Sequence, residues 1–149
     1  MRKIMQGLHL TADLHGCPAD RAELTDAGAL RTLCLAGVRA AGLKPVGELF
    51  HRFAPAASAA LPAAASPARG GVASRAPGAP VGVTGVVLLA ESHLAVHTWP
   101  ELAAVTLDVY VCNFGADNSA RAHSLMDRLI AAFGPAQVQR HALQRGRRA

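Results

Sequence analysis

The segment Glu91-Ser92-His93-Leu94-Ala95-Val96-His97-Thr98-Trp99-Pro100-Glu101 holds a nucleophilic hydroxyl, two imidazoles and two carboxylates within eleven residues. It follows an apolar run over 83–90 and meets a proline, so it reads as a strand with a break at each end, a common place for reactive side chains. Alternation along a strand puts residues 93, 95 and 97 on one side and Leu94 and Val96 on the other. His93 and His97 therefore share a face. That spacing leaves two readings open. One is a serine activated by an imidazole base. The other, which spacing alone favours, is a pair of half-exposed strand histidines with no catalytic part. A zinc site has no third ligand at useful spacing.

The elements that must position these residues are legible on both sides. Over 8–14, Leu8, Leu10, Ala12 and Leu14 alternate with His9, Thr11 and Asp13, the pattern of a half-buried strand. Thr25 is a candidate N-cap for a helix to about Ala41, with Ala27, Leu30, Cys34, Val38 and Ala41 on one stripe and Gly42 as its stop. Cys34 then belongs to the core. A second strand is expected over 45–53. Residues 54–80 change to Ala, Pro, Ser and Gly without a period, a low-complexity loop inserted into the domain. Strands follow over 82–91, 93–99 and 104–112. In the last of these Val105, Leu107, Val109 and Val111 oppose Thr106, Asp108, Tyr110 and Cys112. Asp117 or Asn118 caps a second helix with the stripe Ala122, Leu125, Met126, Leu129, Ile130 and Phe133, ended by Gly134-Pro135. A last strand is expected over 137–143, with 144–149 as a basic tail. The order β-α-β-loop-β-β-β-α-β predicts an α+β domain: a mostly antiparallel sheet with both helices on one face, its other face free for a site and a partner.

The chain has 149 residues and 51% hydrophobic content, enough for one core and one domain over 1–149. Its net charge of +5 is diffuse apart from Arg140, Arg145, Arg147 and Arg148, and no aromatics interleave with those, so nucleic acid is not the expected partner. Cys17, Cys34 and Cys112 are odd in number and lack CxxC spacing, which predicts reduced thiols in a cytoplasmic protein. No apolar run approaches the length of a membrane span.

The segment from Glu91 to Glu101 closely resembles the cleavage-site motif of the bacterial and archaeal S-adenosylmethionine decarboxylases, in which Glu-Ser-His is followed by His-Thr-Trp-Pro-Glu. The resemblance extends to Gly7-Leu8-His9-Leu10 with Asp13 and Cys17, to Phe50-His51-Arg52-Phe53, to Val83-Thr84-Gly85-Val86-Val87 and to Asp108-Val109-Tyr110-Val111-Cys112. It implies a proenzyme that cuts itself between Glu91 and Ser92 and converts Ser92 into a covalent pyruvoyl group. Thr84 and His97 match the processing pair, and Cys112 matches the proton donor. The pyruvoyl ketone would take the substrate amine as a Schiff base and accept the electrons left by carbon dioxide.

Phe53 matches the residue that stacks on adenine, Glu101 is a candidate for ribose hydroxyls and Asp13 for an acidic wall. The plainer alternatives are an ordinary strand threonine at Thr84, a buried structural thiol at Cys112, a core ring at Phe53 and exposed carboxylates at Glu101 and Asp13. The resemblance also implies a homodimer with αββα layering and sites at its interface, acting on a small-molecule substrate for polyamine synthesis. Serine is commoner than threonine at position 84. Asn113-Phe114 stands where glycine usually follows the thiol, and the insertion at 54–80 is unusual. The last two departures keep arginine or ornithine open as substrates beside S-adenosylmethionine, whereas threonine at 84 still offers a hydroxyl. A non-catalytic regulatory relative is the third reading, and the presence of Ser92, His97 and Cys112 together opposes it.

Overall fold

A computed structural model describes residues 5–55 and 78–146. Its elements are β1 (Gly7–His15), α1 (Ala27–Ala40), β2 (Pro45–Arg52), β3 (Val83–Leu89), β4 (Ser92–Trp99), β5 (Ala104–Cys112), α2 (Ser119–Phe133) and β6 (Gln137–Arg145), with 3-10 turns at Ala22–Leu24 and Pro100–Leu102. The strands form one antiparallel sheet in the order β2-β3-β4-β5-β1-β6. Helix α1 packs on β2 and β3, α2 packs on β1 and β5, and the helices touch each other. Both therefore cover one face, as the order of elements predicts.

The period-2 pattern decides which side chains meet the helices. Leu8, Leu10, Ala12 and Leu14 of β1, Leu94 and Val96 of β4, and Val105, Leu107, Val109 and Val111 of β5 are buried with Cys34 and Val38 of α1 and Leu125, Leu129 and Phe133 of α2. Each large apolar side chain removed from water contributes roughly 1.5–3 kcal/mol. The opposite parity, including His9, Asp13, Thr84, His93, His97 and Asp108, is half-buried, with no covering layer among the described residues.

Three boundaries differ from expectation. Asp26, not Thr25, caps α1: its carboxylate accepts the Ala29 N–H at 2.8 Å, whereas Thr25 closes the preceding 3-10 turn. An aspartate at this position also favours the positive end of the helix dipole. β6 runs to Arg145, so residues 144 and 145 are not tail but pair with Leu8 and Gly7. Arg140 lies within the same strand and donates to Asp127 at 2.6 Å. β2 stops at Arg52, one residue before Phe53, whose N–H still donates to the Gly82 carbonyl at 3.1 Å. Residues 56–77 of the insertion, and Arg147 and Arg148, lie outside the described residues. Among the described residues no helix is long and apolar enough to cross a membrane.

Thr98 locks the start of β3 to β4. Only 3% exposed, its hydroxyl accepts the Val83 N–H at 2.8 Å and donates to the Leu24 carbonyl at 2.7 Å. Gly82 permits the approach, because a Cβ there would sit 2.1 Å from the Thr98 carbonyl oxygen. Thr98→Val keeps the shape and strands two buried backbone groups. It is expected to lower unfolding free energy by about 1–3 kcal/mol in denaturant titration; an unchanged midpoint would refute the lock.

Candidate active site

The register arranges the uncovered face in rows. One row runs His51, Thr84, His97, Thr106 and Asp13, and another runs Leu88, His93, Tyr110 and His9. Side chains in a row stand close enough to interact across neighbouring strands.

At one end of the face, the β3–β4 hairpin turns through Ala90-Glu91, between the paired residues Leu89 and Ser92. Glu91 has φ 56°. This left-handed conformation costs a residue with a Cβ about 1–2 kcal/mol, and here it falls on the residue whose carbonyl precedes Ser92. The Ser92 Oγ accepts the backbone N–H of Cys112 at 3.0 Å. Cys112, 9% exposed, lines an open cavity of about 310 Å³ with Met5, Glu91, Tyr110 and Phe114. A left-handed turn residue, a hydroxyl and a thiol thereby share one end of the sheet.

The other end holds the second group. Thr84 and His97 are directly paired across β3 and β4, with Thr84 Oγ1 and His97 Nδ1 sharing a hydrogen bond of 3.0 Å. They line an open cavity of about 550 Å³ with Phe53, Thr98 and Trp99. Phe53 is no core ring: it is 40% exposed and stands edge-on to His51 at 5.3 Å. Glu101 lies in the turn after β4. Asp13 shares the His97 row two strands away, about 10 Å by strand spacing.

The eight candidate positions thus separate into two groups. Five strand steps divide Ser92 from His97, about 16 Å at strand rise. Within one chain Thr84 and His97 do not reach the Glu91–Ser92 bond. Burial also ranks the thiols. Desolvation pushes Cys34 up to about 12 and raises Cys17, which leaves both poor nucleophiles and acids near neutral pH. Cys34 is core, as its helical stripe predicts.

The family model for S-adenosylmethionine decarboxylase matches residues 8–146. The chain belongs to the S-adenosylmethionine decarboxylase family. It is 31% identical over 140 residues to the S-adenosylmethionine decarboxylase proenzyme of Aquifex aeolicus, covering 94% of this chain and 81% of that one. The proenzyme of the same name from Picrophilus torridus is 27% identical over 144 residues, 97% of this chain and 87% of its own length. The crystal structure of the Aquifex aeolicus adenosylmethionine decarboxylase superposes with a TM-score of 0.71 at 30% identity, covering 99% of this chain and 96% of that one. The α+β sheet with helices on one face is therefore the fold of a decarboxylase family member.

Two features of this family member escaped the sequence reading. Ala90-Glu91 carries no glycine or asparagine to announce a left-handed turn residue. Asp108, given no role of its own by the sequence, accepts from two histidines: His9 Nε2 at 2.8 Å and His93 Nε2 at 3.2 Å. Parity and their place in family-like segments singled out all three residues, but neither signal joined them, since the grouping depends on register.

Proposed function

We propose that the chain is a self-processing, pyruvoyl-dependent S-adenosylmethionine decarboxylase, a cytoplasmic carboxy-lyase of polyamine synthesis that works as a homodimer of cleaved protomers. The observation that carries this reading is the meeting of the left-handed Glu91 turn, the Ser92 hydroxyl and Cys112 at one strand end. The names of the relatives described above favour S-adenosylmethionine over arginine or ornithine.

The Ser92 Oγ attacks the Glu91 carbonyl carbon, and collapse of the adduct breaks the C–N bond to leave an ester and a free amine. A threonine hydroxyl, Thr84, stabilises the oxyanion on the way. The His97 imidazole then takes the α-proton of residue 92, and the ester oxygen leaves as the Glu91 carboxylate. The dehydroalanine that remains tautomerises to an imine, and water replaces its nitrogen as ammonia. Residue 92 suits this chemistry, because it begins a strand and its hydroxyl accepts the backbone N–H of Cys112 before the cut. The pyruvoyl group supplies the electron sink for the carbon that loses carbon dioxide. Cys112 returns the proton to that carbon. Phe53 stacks on adenine, Glu101 holds the ribose hydroxyls and Asp13 supplies acidic wall.

The separation of Ser92 from His97 supports a site shared by two copies. If a two-fold axis stacks the uncovered faces, each Ser92 end lies over the partner's Thr84 and His97 end, and the helices become outer layers. Purified protein run under denaturing conditions is expected to give pieces 1–91 and 92–149. Carboxyl-labelled S-adenosylmethionine is expected to release labelled carbon dioxide, and labelled arginine and ornithine are not. A chain that stays whole sinks the processing claim; release from arginine or ornithine alone sinks only the substrate.

A further inference from the structure

We infer that His9, Asp108 and His93 form a clamp that positions residue 92 once the hairpin has been cut, an inference that rests on Ser92 being the pyruvoyl precursor. Before cleavage, residue 92 is held from both sides: by the Ala90-Glu91 turn and by its place in β4. Cleavage removes the turn. Residue 92 becomes a chain end, and strand ends fray unless they are tied down. The first full tie is then His93, whose backbone lies between Leu88 of β3 and Tyr110 of β5.

The side chain of His93 is fastened more firmly than its 39% side-chain exposure suggests. Its Nε2 meets one Asp108 oxygen at 3.2 Å, while the other oxygen meets His9 Nε2 at 2.8 Å. A carboxylate only accepts, so both Nε2 atoms carry hydrogen and donate. The Tyr110 ring completes the support, tilted against His93 at 5.7 Å and edge-on to His9 at 6.0 Å. Gly7 makes room for it, since a Cβ there would lie 2.6 Å from that ring. The cluster ties β4, β5 and β1 together one residue from position 92. Tyr110 also shares a cavity wall with Cys112. The clamp therefore holds the new chain end in register with the thiol.

Amide exchange and kinetics of the cut protein test this with Asp108→Asn and His93→Gln. Both variants are expected to cut themselves as the parent does, because the uncut turn still holds residue 92. KM for S-adenosylmethionine stays within about threefold, while kcat falls about 10–100-fold, the penalty for slight misplacement of a reacting group. Backbone amides of 93–95 in the cut protein exchange at least about tenfold faster than in the cut parent. Unchanged kcat and exchange in a cut, active protein overturn the clamp alone, as does self-cleavage slowed to the same extent as kcat. A parent that stays uncut overturns the pyruvoyl reading and the clamp with it. Should Asp108→Asn fail to fold, His93→Gln, altered at a partly exposed side chain, decides the matter.

Discussion

Ser92→Ala is expected to leave the chain whole and to abolish decarboxylation, a loss of at least about 10⁶-fold, the low end of enzymatic rate enhancement. Without the hydroxyl there is no attack on the Glu91 carbonyl, and without that attack no keto group arises at 92. The change is mild for the fold. It forfeits one hydrogen bond, from the Cys112 N–H, worth about 1 kcal/mol. A folded, full-length, inactive protein by gel, circular dichroism and activity assay is the expected result. Cleavage or activity in the folded variant would show that another residue is the precursor.

The second expectation concerns two inactive chains that restore one another. Ser92→Ala and His97→Ala homodimers should each remain uncut, for want of a nucleophile and a base respectively. In a mixed dimer one site combines Ser92 from the His97→Ala chain with His97 from the Ser92→Ala chain, and the other site has neither. Co-expression of differently tagged chains should therefore recover about a quarter of parental sites under random pairing. Only the chain that lacks the imidazole should be cut. No cleavage in isolated mixed dimers would mean that His97 acts within its own chain, against the five strand steps that separate it from Ser92.

Much of this architecture was readable because two periods dominate it. Alternation alone put His9, His93, His97, Asp108 and Cys112 on the uncovered face, and the 3.6-residue stripes of Cys34 and Leu125 put those side chains in the core. Boundaries were less legible: Thr25 and Asp26 are both good caps, and only the hydrogen bond to Ala29 separates them. β6 has no buried residue, so pairing with β1 rather than hydrophobic pattern sets its length.

At the site, individual residues were legible but their grouping was not. Grouping depends on register, and register is set by turns and bulges rather than by residue type. Thr84 and His97 meet because a two-residue turn closes the β3–β4 hairpin, and the same turn carries Ser92 to the opposite end. Asp108 reaches His9 only through the β1–β5 register, across most of the chain's length. The φ of Glu91 left no trace in composition.

The strand order also governs how the protein can come apart. On the proposed processing, cleavage after Glu91 assigns β1, β2 and β3 to one piece and β4, β5 and β6 to the other, yet the sheet runs β2-β3-β4-β5-β1-β6. Strand β1 of the first piece is therefore inserted between β5 and β6 of the second, and three seams, β3–β4, β5–β1 and β1–β6, join separate chains. Before the cut, closing these seams is unimolecular; afterwards it is a second-order encounter between fragments that must interdigitate. On that reading the cut protein is expected to hold its native state through slow unfolding rather than ready refolding, and dilution after denaturation is expected not to restore it.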